Sequence, residues 1–139
     1  MSEKINKLDC ILLIDDDEAT NFYHTLIVEE ECAHVPVRSV KSAKEALDYL
    51  LCKKDGVDCP KPGIIFLDIN MPGMNGWDFL ARYHELSADI QDRAVVAMLT
   101  TSVNPDDRDK AATIPEVKEF VHKPLTPEAI RKIVRENFA

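Results

Sequence analysis

The sequence lacks an excess of basic residues and a long apolar run. Acidic residues outnumber basic ones by 25 to 17, and the formal net charge is -8. The resulting field repels phosphate backbones and anionic lipid surfaces, so we expect neither a nucleic-acid nor a membrane partner. The apolar run at residues 10–14 is too short for a signal peptide or a membrane span. These absences favour a cytoplasmic protein.

Closely spaced cysteine pairs are also lacking. None of the four cysteines lies at CxxC spacing from another; they are Cys10, Cys32, Cys52 and Cys59. Free cysteine commonly packs as a small apolar side chain. We therefore expect reduced, buried thiols and assign these residues no chemistry.

The length and composition are those of one domain. A chain of 139 residues with 45% hydrophobic residues can bury a core without disulfides or metal staples. No repeat, low-complexity tract or interdomain linker is visible. We expect a single domain over residues 1–139, with a short N-terminal tail at residues 1–8 and no attached effector domain.

Apolar runs alternate with helix signals along the chain. The runs predict strands at residues 10–14, 35–40, 64–67, 94–99 and 117–122, and the last, more polar run is expected at a sheet edge. Helices are expected at residues 18–31, from 43 to about 53, at 75–86, from 105 and from 127, with a loop at 55–63. This alternation predicts an α/β fold, a doubly wound five-stranded parallel sheet with helices on both faces. The strand order cannot be read from periodicity.

Three of the predicted helices begin at residues that satisfy free backbone N–H groups. Ser42 and Glu45 have the spacing of a capping box. Asn104 precedes Pro105, which suits the first helical position, and Thr126 precedes the last helix. These signals predict the first residues of the three helices.

Polar residues follow four of the five predicted strands directly. They are Asp15, Asp16 and Asp17 after the first strand, Asp68 after the third, Thr100, Thr101 and Ser102 after the fourth, and Lys123 after the fifth. In open α/β sheets, ligands bind in the crevice beyond the carboxyl ends of the strands. Taken singly, such residues are more often helix caps, polar loops or solvated lysines. Their joint placement favours one functional site.

The residue types at this edge suit a metal ion and a phosphoryl group. Carboxylates gathered in one small site repel each other, so their pKa values must rise or a cation must lie among them. Oxygen ligands without histidine or cysteine suit Mg2+, which keeps several waters and needs few protein ligands. Lys123 and Thr100 can hold the oxygens of a phosphoryl group carried on a nearby carboxylate, and aspartate is a known nucleophile of this kind.

Four segments carry a family resemblance. They are Ile14-Asp15-Asp16-Asp17, the stretch from Leu67-Asp68 to Gly76, Leu99-Thr100 and His122-Lys123-Pro124. Together they resemble the response-regulator receiver family of two-component signalling over nearly the whole chain. The resemblance implies a flavodoxin-like fold with strand order 2-1-3-4-5.

The resemblance also implies a role for each site residue. Asp68 would be the phosphoacceptor. Asp15 and Asp16 would form the acidic pair that binds Mg2+ together with Asp68 and the backbone carbonyl of Asn70.

The resemblance further implies that Thr100 and Lys123 contact the phosphoryl oxygens. Thr101 competes with Thr100 for this role, but counting back from Asp107 along the family pattern favours Thr100. The aromatic switch position of the family corresponds to Phe120.

The implied function is that of a two-component phosphorelay response regulator. The phosphoryl donor would be a sensor histidine kinase or a histidine phosphotransfer protein, and the output would be altered contact with a downstream protein target. The domain would assist its own phosphorylation and dephosphorylation only, so we do not expect an enzyme acting on an external substrate. Whether it passes the phosphoryl group onward in a relay stays open.

Two positions depart from the family pattern. Phe120 stands where tyrosine is frequent, and Pro115 lies in a segment where the family has a glycine-alanine turn. The longer loop at residues 55–63 resembles a subset of single-domain regulators that includes partners of phytochrome-type kinases.

Two other functions share parts of this pattern. A haloacid-dehalogenase-type phosphatase also forms an aspartyl phosphate with magnesium, but it needs a second aspartate two residues after its nucleophile as general acid, and here that position is Asn70. A degenerate receiver that binds a partner without phosphorylation is disfavoured because the acids, the threonine and the lysine are all present.

Overall fold

A computed structural model of the protein describes residues 8, 10–51, 62–71, 73–86, 94–101 and 104–138. Its strands are β1 (Ile11–Ile14), β2 (Val37–Val40), β3 (Ile64–Asp68), β4 (Val95–Thr100) and β5 (Val117–His122). Its helices are α1 (Glu18–Glu31), α2 (Ala43–Leu50), α3 (Gly76–His84), α4 (Pro105–Ala112) and α5 (Pro127–Phe138). None of these helices is long and apolar enough to cross a membrane.

All five strands form one parallel sheet with the order β2-β1-β3-β4-β5. β1 lies inside the sheet, where Ile11 pairs with Val37 of β2 on one side and with Ile64 of β3 on the other. The predicted doubly wound fold, the implied strand order and the edge position of β5 are confirmed. The winding reverses between β1 and β3, so a crevice opens beyond their carboxyl ends.

The sheet separates two apolar layers, which explains why its inner strands are apolar throughout. In β1, Leu12 and Ile14 pack into the layer that contains Phe79 of α3. Ile11 and Leu13 pack into the opposite layer, against α1 and α5. Because both faces of β1, β3 and β4 are covered, the backbone positions at their ends are held firmly.

Some element boundaries differ from the predicted ones. β2 begins at Val37 because Pro36 precedes it, and proline has no N–H to donate to the ladder. The carbonyl of Pro36 still accepts a hydrogen bond from the Ile11 N–H at 2.9 Å. α2 ends at Leu50 and α3 at His84, each a few residues before the predicted end. The predicted loop at 55–63 lies outside the described residues except at its last two positions.

The helix caps follow the sequence signals with one difference. Ser42 Oγ accepts from the Glu45 N–H at 3.1 Å, as predicted. The Glu45 carboxylate, however, accepts from the Lys41 N–H at 3.0 Å, because its side chain reaches one residue further back than a capping box requires. The full reciprocal box occurs instead at α3, between Asn75 and Asp78. The predicted caps before α4 and α5 are confirmed.

The cysteines are described in part. Cys10 is a buried free thiol and Cys32 a half-buried one. Burial raises the pKa of the Cys32 thiol, and the nearby charge of Glu31 acts in the same direction. Both effects favour the protonated thiol over the reactive thiolate. Cys52 and Cys59 lie outside the described residues.

Candidate functional site

The carboxyl ends of four strands meet at one edge of the sheet and place the predicted residues there. Asp15 follows β1 and Asp68 ends β3. Thr100 ends β4, and Lys123 follows β5. Asp15, Asp68 and Thr100 are all buried, so the fold takes polar groups out of water at this edge.

Lys123 joins the two buried carboxylates directly. Its Nζ lies 2.6 Å from Asp15 Oδ2 and 3.1 Å from Asp68 Oδ1. The side chains of Lys123, Asp15 and Asp68 are 16%, 4% and 6% exposed. A buried carboxylate is tolerated only when it is paired and hydrogen-bonded. Lys123 therefore supports both acids at once, from the end of a strand two positions away from β3.

A third carboxylate completes an acidic cluster. Asp15, Asp16 and Asp68 each offer one oxygen, and these oxygens lie within 4.8 Å of one another. Asp16 is exposed, unlike the two buried acids. Among the described residues, three carboxylates against one ammonium leave a charge of two negatives at the cluster. Hard oxygen donors with this excess charge fit a divalent cation such as Mg2+.

The charges of the cluster act on one another. Burial and then the charge of Asp15 raise the pKa of Asp68, while the ammonium of Lys123 opposes both. Burial alone would lower the pKa of Lys123, but the hydrogen bond to Asp15 and the charge of Asp68 outweigh burial and raise it. Asp68 is therefore more basic than an exposed aspartate, and Lys123 stays protonated.

Asp17 belongs to the acidic run, but its side chain caps helix α1. Its carboxylate accepts from the Ala19 N–H at 3.1 Å and from the Thr20 hydroxyl at 2.8 Å, which caps α1. The hydroxyl of Thr20 and then the N–H of Ala19 hold the pKa of Asp17 below its ordinary value. The Asp17 N–H donates to Asp15 Oδ1 at 2.9 Å, so the capping residue also orients the buried acid.

Asn21 supports the site and was not predicted. This buried side chain on α1 donates from Nδ2 to the carbonyl of Asp15 at 2.9 Å and to the carbonyl of Val40 at 3.2 Å. It thereby ties the ends of β1 and β2 to α1. The available signal was a polar residue at a buried position of a predicted helix. That signal does not identify the hydrogen-bond partners, because they lie on other elements.

The loop after β3 packs closely against Asp68. The Asn70 N–H lies 3.4 Å from Asp68 Oδ1, and the residue itself is exposed. A Cβ added at Gly76 would lie 2.8 Å from the Asp68 carbonyl oxygen, so only glycine fits at the start of α3. Gly73 has a φ of 77°, which also favours glycine. The two glycines allow the chain to turn tightly around the acid.

The two threonines after β4 occupy different environments. Thr100 is 1% exposed, and its carbonyl accepts from the Lys123 N–H at 2.7 Å. Thr101 is exposed. Phe120 pairs in register with Met98 of β4 and is half-buried. The guanidinium of Arg108 lies 5.3 Å from the centre of the Phe120 ring.

A buried histidine holds the chain just beyond Lys123. His24 Nε2 accepts from the Leu125 N–H at 3.2 Å, which joins α1 to the segment between β5 and α5. Burial lowers the pKa of His24, and Asp15 and Lys123 act on it in opposite directions. The neutral imidazole is the form that can accept this bond. No sequence signal distinguished His24 from the other three histidines.

Comparisons with known proteins show the family of this chain. A model of the family described as "Response regulator receiver domain" matches residues 11–135. Hybrid signal transduction histidine kinase C of Dictyostelium discoideum is 31% identical over 58% of this chain, which spans only 7% of that protein.

Two solved structures are similar over almost the whole chain. A two-component response regulator from Cytophaga hutchinsonii is 33% identical, with a TM-score of 0.79 over 93% of this chain and 96% of that one. The bacteriophytochrome response regulator RtBRR is 26% identical, with a TM-score of 0.77 over 95% of this chain and 79% of that one.

Proposed function

Because this chain belongs to the response regulator receiver family of two-component systems, we propose that Asp68 accepts a phosphoryl group from a histidine kinase or a histidine phosphotransfer protein. One observation carries the proposal. Asp68 is a buried carboxylate of raised pKa, bridged by Lys123 to Asp15 and within reach of the exposed Asp16. Such an arrangement suits a nucleophile facing an anionic group.

In the proposed transfer, an Asp68 carboxylate oxygen forms a bond to phosphorus while the phosphorus–nitrogen bond of a phosphohistidine breaks. The bonding electron pair returns to the imidazole of the donor. Lys123 already lies 3.1 Å from Asp68 Oδ1, so its ammonium can donate to a phosphoryl oxygen there. The hydroxyl of Thr100 supplies a second donor from the end of β4.

The acidic cluster would hold Mg2+ beside Asp68. Asp15, Asp16 and Asp68 would supply carboxylate oxygens and Asn70 its backbone carbonyl. When bound, the metal would neutralise charge that develops on the transferring group. Asp16 is the exposed member of the cluster, so it can bind a hydrated ion without first giving up a buried hydrogen bond.

We infer that the donor protein docks on α1. A donor must bring its phosphohistidine to the mouth of the crevice, and α1 begins directly after the acidic run. This helix exposes Phe22, Tyr23 and Leu26 at 67%, 51% and 50%. Phe22 and Leu26 lie one turn apart on the same helix face. An exposed apolar cluster beside a reaction site is typical of a partner surface.

The downstream protein target would contact the face formed by α4, β5 and α5. Movement of the Thr100 hydroxyl toward the phosphoryl group would open space beside β5, and Phe120 would turn inward to fill it. Complete burial of a phenylalanine is worth roughly 1.5 to 3 kcal/mol. Phe120 is already half-buried, so we expect about half of that, about 0.75 to 1.5 kcal/mol, which shifts a two-state equilibrium about three- to thirteenfold.

Intact-mass measurement after incubation with acetyl phosphate and Mg2+ tests the nucleophile. We expect the unsubstituted protein to gain one phosphoryl mass and Asp68→Asn to gain none. Equal labelling of the two would overturn the assignment, and no labelling of either would favour a degenerate receiver. For docking, Leu26→Ala should slow transfer from a phosphorylated donor protein but not from acetyl phosphate; equal slowing of both would refute the α1 surface.

A further inference from the structure

The peptide between Asp15 and Asp16 is held by a side chain of α1. The Asp15 carbonyl accepts a hydrogen bond from Asn21 Nδ2 at 2.9 Å. The Asp15 N–H donates to the Val40 carbonyl at 3.2 Å, so hydrogen bonds restrain the backbone on both sides of Asp15. Because a peptide is planar, the bond to the Asp15 carbonyl also sets the direction in which the chain continues into Asp16.

The same amide group joins β1 to β2. Asn21 Nδ2 also donates to the Val40 carbonyl at 3.2 Å, so one NH2 group binds the ends of two neighbouring strands. Both neighbours are carbonyl oxygens, which only the NH2 side of an amide can face. Asn21 is itself fixed, because its N–H donates to the Asp17 carbonyl at 3.0 Å in the first turn of α1.

The placement of Asp16 depends on its backbone more than that of the other two acids does. Lys123 bonds to both Asp15 and Asp68. Among the residues that the structure describes, none donates a hydrogen bond to the Asp16 carboxylate. One of its oxygens nevertheless lies within 4.8 Å of an oxygen of each other acid. The backbone of residues 15 and 16 must therefore supply this placement.

Asn21 carries a cost that an apolar residue would avoid. The residue is 5% exposed, and its Oδ1 is buried without a hydrogen-bond partner in the described part of the chain. Buried polar atoms are normally satisfied, and exceptions are expected at functional sites. A leucine of similar size would leave no unpaired oxygen. The advantage of asparagine here therefore lies in its NH2 group.

We propose that Asn21 is a positioning residue for divalent-cation binding. By holding the Asp15 carbonyl, it directs the Asp16 carboxylate toward the other two acids. This role rests on the proposed function, because it requires the acidic cluster to bind Mg2+. Asn21 itself does not touch the ion. Groups that orient metal ligands typically contribute about 10- to 100-fold to metal affinity, and we expect about tenfold because Lys123 still holds Asp15 and Asp68.

Calorimetric titration of the metal-free protein with MgCl2 alone tests this role. Asn21→Leu removes both hydrogen bonds and should raise the Kd for Mg2+ about tenfold. Val28→Ala is the matched control, because Val28 is buried two turns further along α1 and packs with Ile11 and Leu13 rather than with the acids. It should lower the free energy of unfolding but leave the Kd unchanged. If Asn21→Leu does not fold, as judged by circular dichroism, Asn21→Ala, which adds no bulk, takes its place.

The amide signal of Asp16 reports the backbone geometry without metal. Its N–H belongs to the peptide whose carbonyl Asn21 holds, so this signal should move in 1H–15N spectra of Asn21→Leu and stay in place in Val28→Ala. An unmoved Asp16 signal, an unchanged Kd in Asn21→Leu, or an equal rise in both variants would overturn the positioning role and leave the acidic cluster as the Mg2+ site. No saturable Mg2+ binding to the unsubstituted protein would instead overturn the proposed metal site, and this role with it.

Discussion

Replacing Lys123 by methionine tests whether one lysine stabilises the buried carboxylate pair. Methionine keeps most of the volume and removes the charge. Asp15 and Asp68, only 4% and 6% exposed, would then face each other without the ammonium. We expect Lys123→Met to lower the free energy of unfolding and Asp68→Asn to restore part of the loss.

The magnitude follows from the geometry. At an effective dielectric constant of about 20, contacts of 2.6 and 3.1 Å each correspond to about 5 to 6 kcal/mol of attraction. Desolvation of the three charged groups offsets much of this. Removing one partner from a buried pair typically costs about 3 to 5 kcal/mol, and we expect the lower end, about 3 kcal/mol, because the crevice is open to water.

Urea unfolding at neutral pH measures this loss, and a double-mutant cycle isolates the pair. The variant Lys123→Met/Asp68→Asn should show a coupling energy of about 1 to 3 kcal/mol relative to the single variants. Without Lys123 the folded-state pKa of Asp68 rises further above its unfolded value, so the destabilisation should be present at neutral pH and lost as the pH falls through that folded pKa. A loss below about 0.5 kcal/mol, or additive single variants, would refute the reasoning.

Three further predictions concern other parts of the site. Without metal, Asp16→Asn should raise the free energy of unfolding by about 1 kcal/mol because one like-charge contact is relieved, and it should weaken Mg2+ affinity; an unchanged Mg2+ titration would contradict this. Because burial lowers the folded-state pKa of His24, the unfolded chain binds more protons, so stability should fall as the pH drops through about 6.5. In urea titrations at several pH values, His24→Gln should show less of this fall, and an identical pH profile would exclude the buried neutral histidine. A beryllofluoride mimic should change the amide chemical shifts of residues 104–127 in Phe120→Tyr but not in Phe120→Ala, and both variants should still be phosphorylated. Changes confined to the acidic crevice in the unsubstituted protein would eliminate the switch.

The fold could be predicted because its signals are local. Runs such as Ile64 to Leu67 are apolar at every position, which is typical of strands covered on both faces by helices. The alternation with capped helices then requires parallel strands. The strand order came only from family resemblance, because pairing depends on contacts between distant segments and leaves no mark on periodicity.

The convergence of the candidate site could also be predicted, since parallel strands end at the same sheet edge. Asp15 and Asp68 meet there as expected. The direct bridge of Lys123 to both acids could not be foreseen, because it depends on the reach of one side chain across the sheet. The same limit applies to Asn21 and His24, whose partners are backbone groups of other elements.

Locating the phosphoryl group tests the central proposal most directly. After reaction with acetyl phosphate and Mg2+, borohydride reduces an aspartyl phosphate to homoserine, and tandem mass spectrometry of the digested protein identifies the converted residue. We predict homoserine at position 68 alone, with no conversion when Mg2+ is removed by chelation. Homoserine at Asp15 or Asp16, or phosphoryl mass without conversion of Asp68, would contradict the assignment.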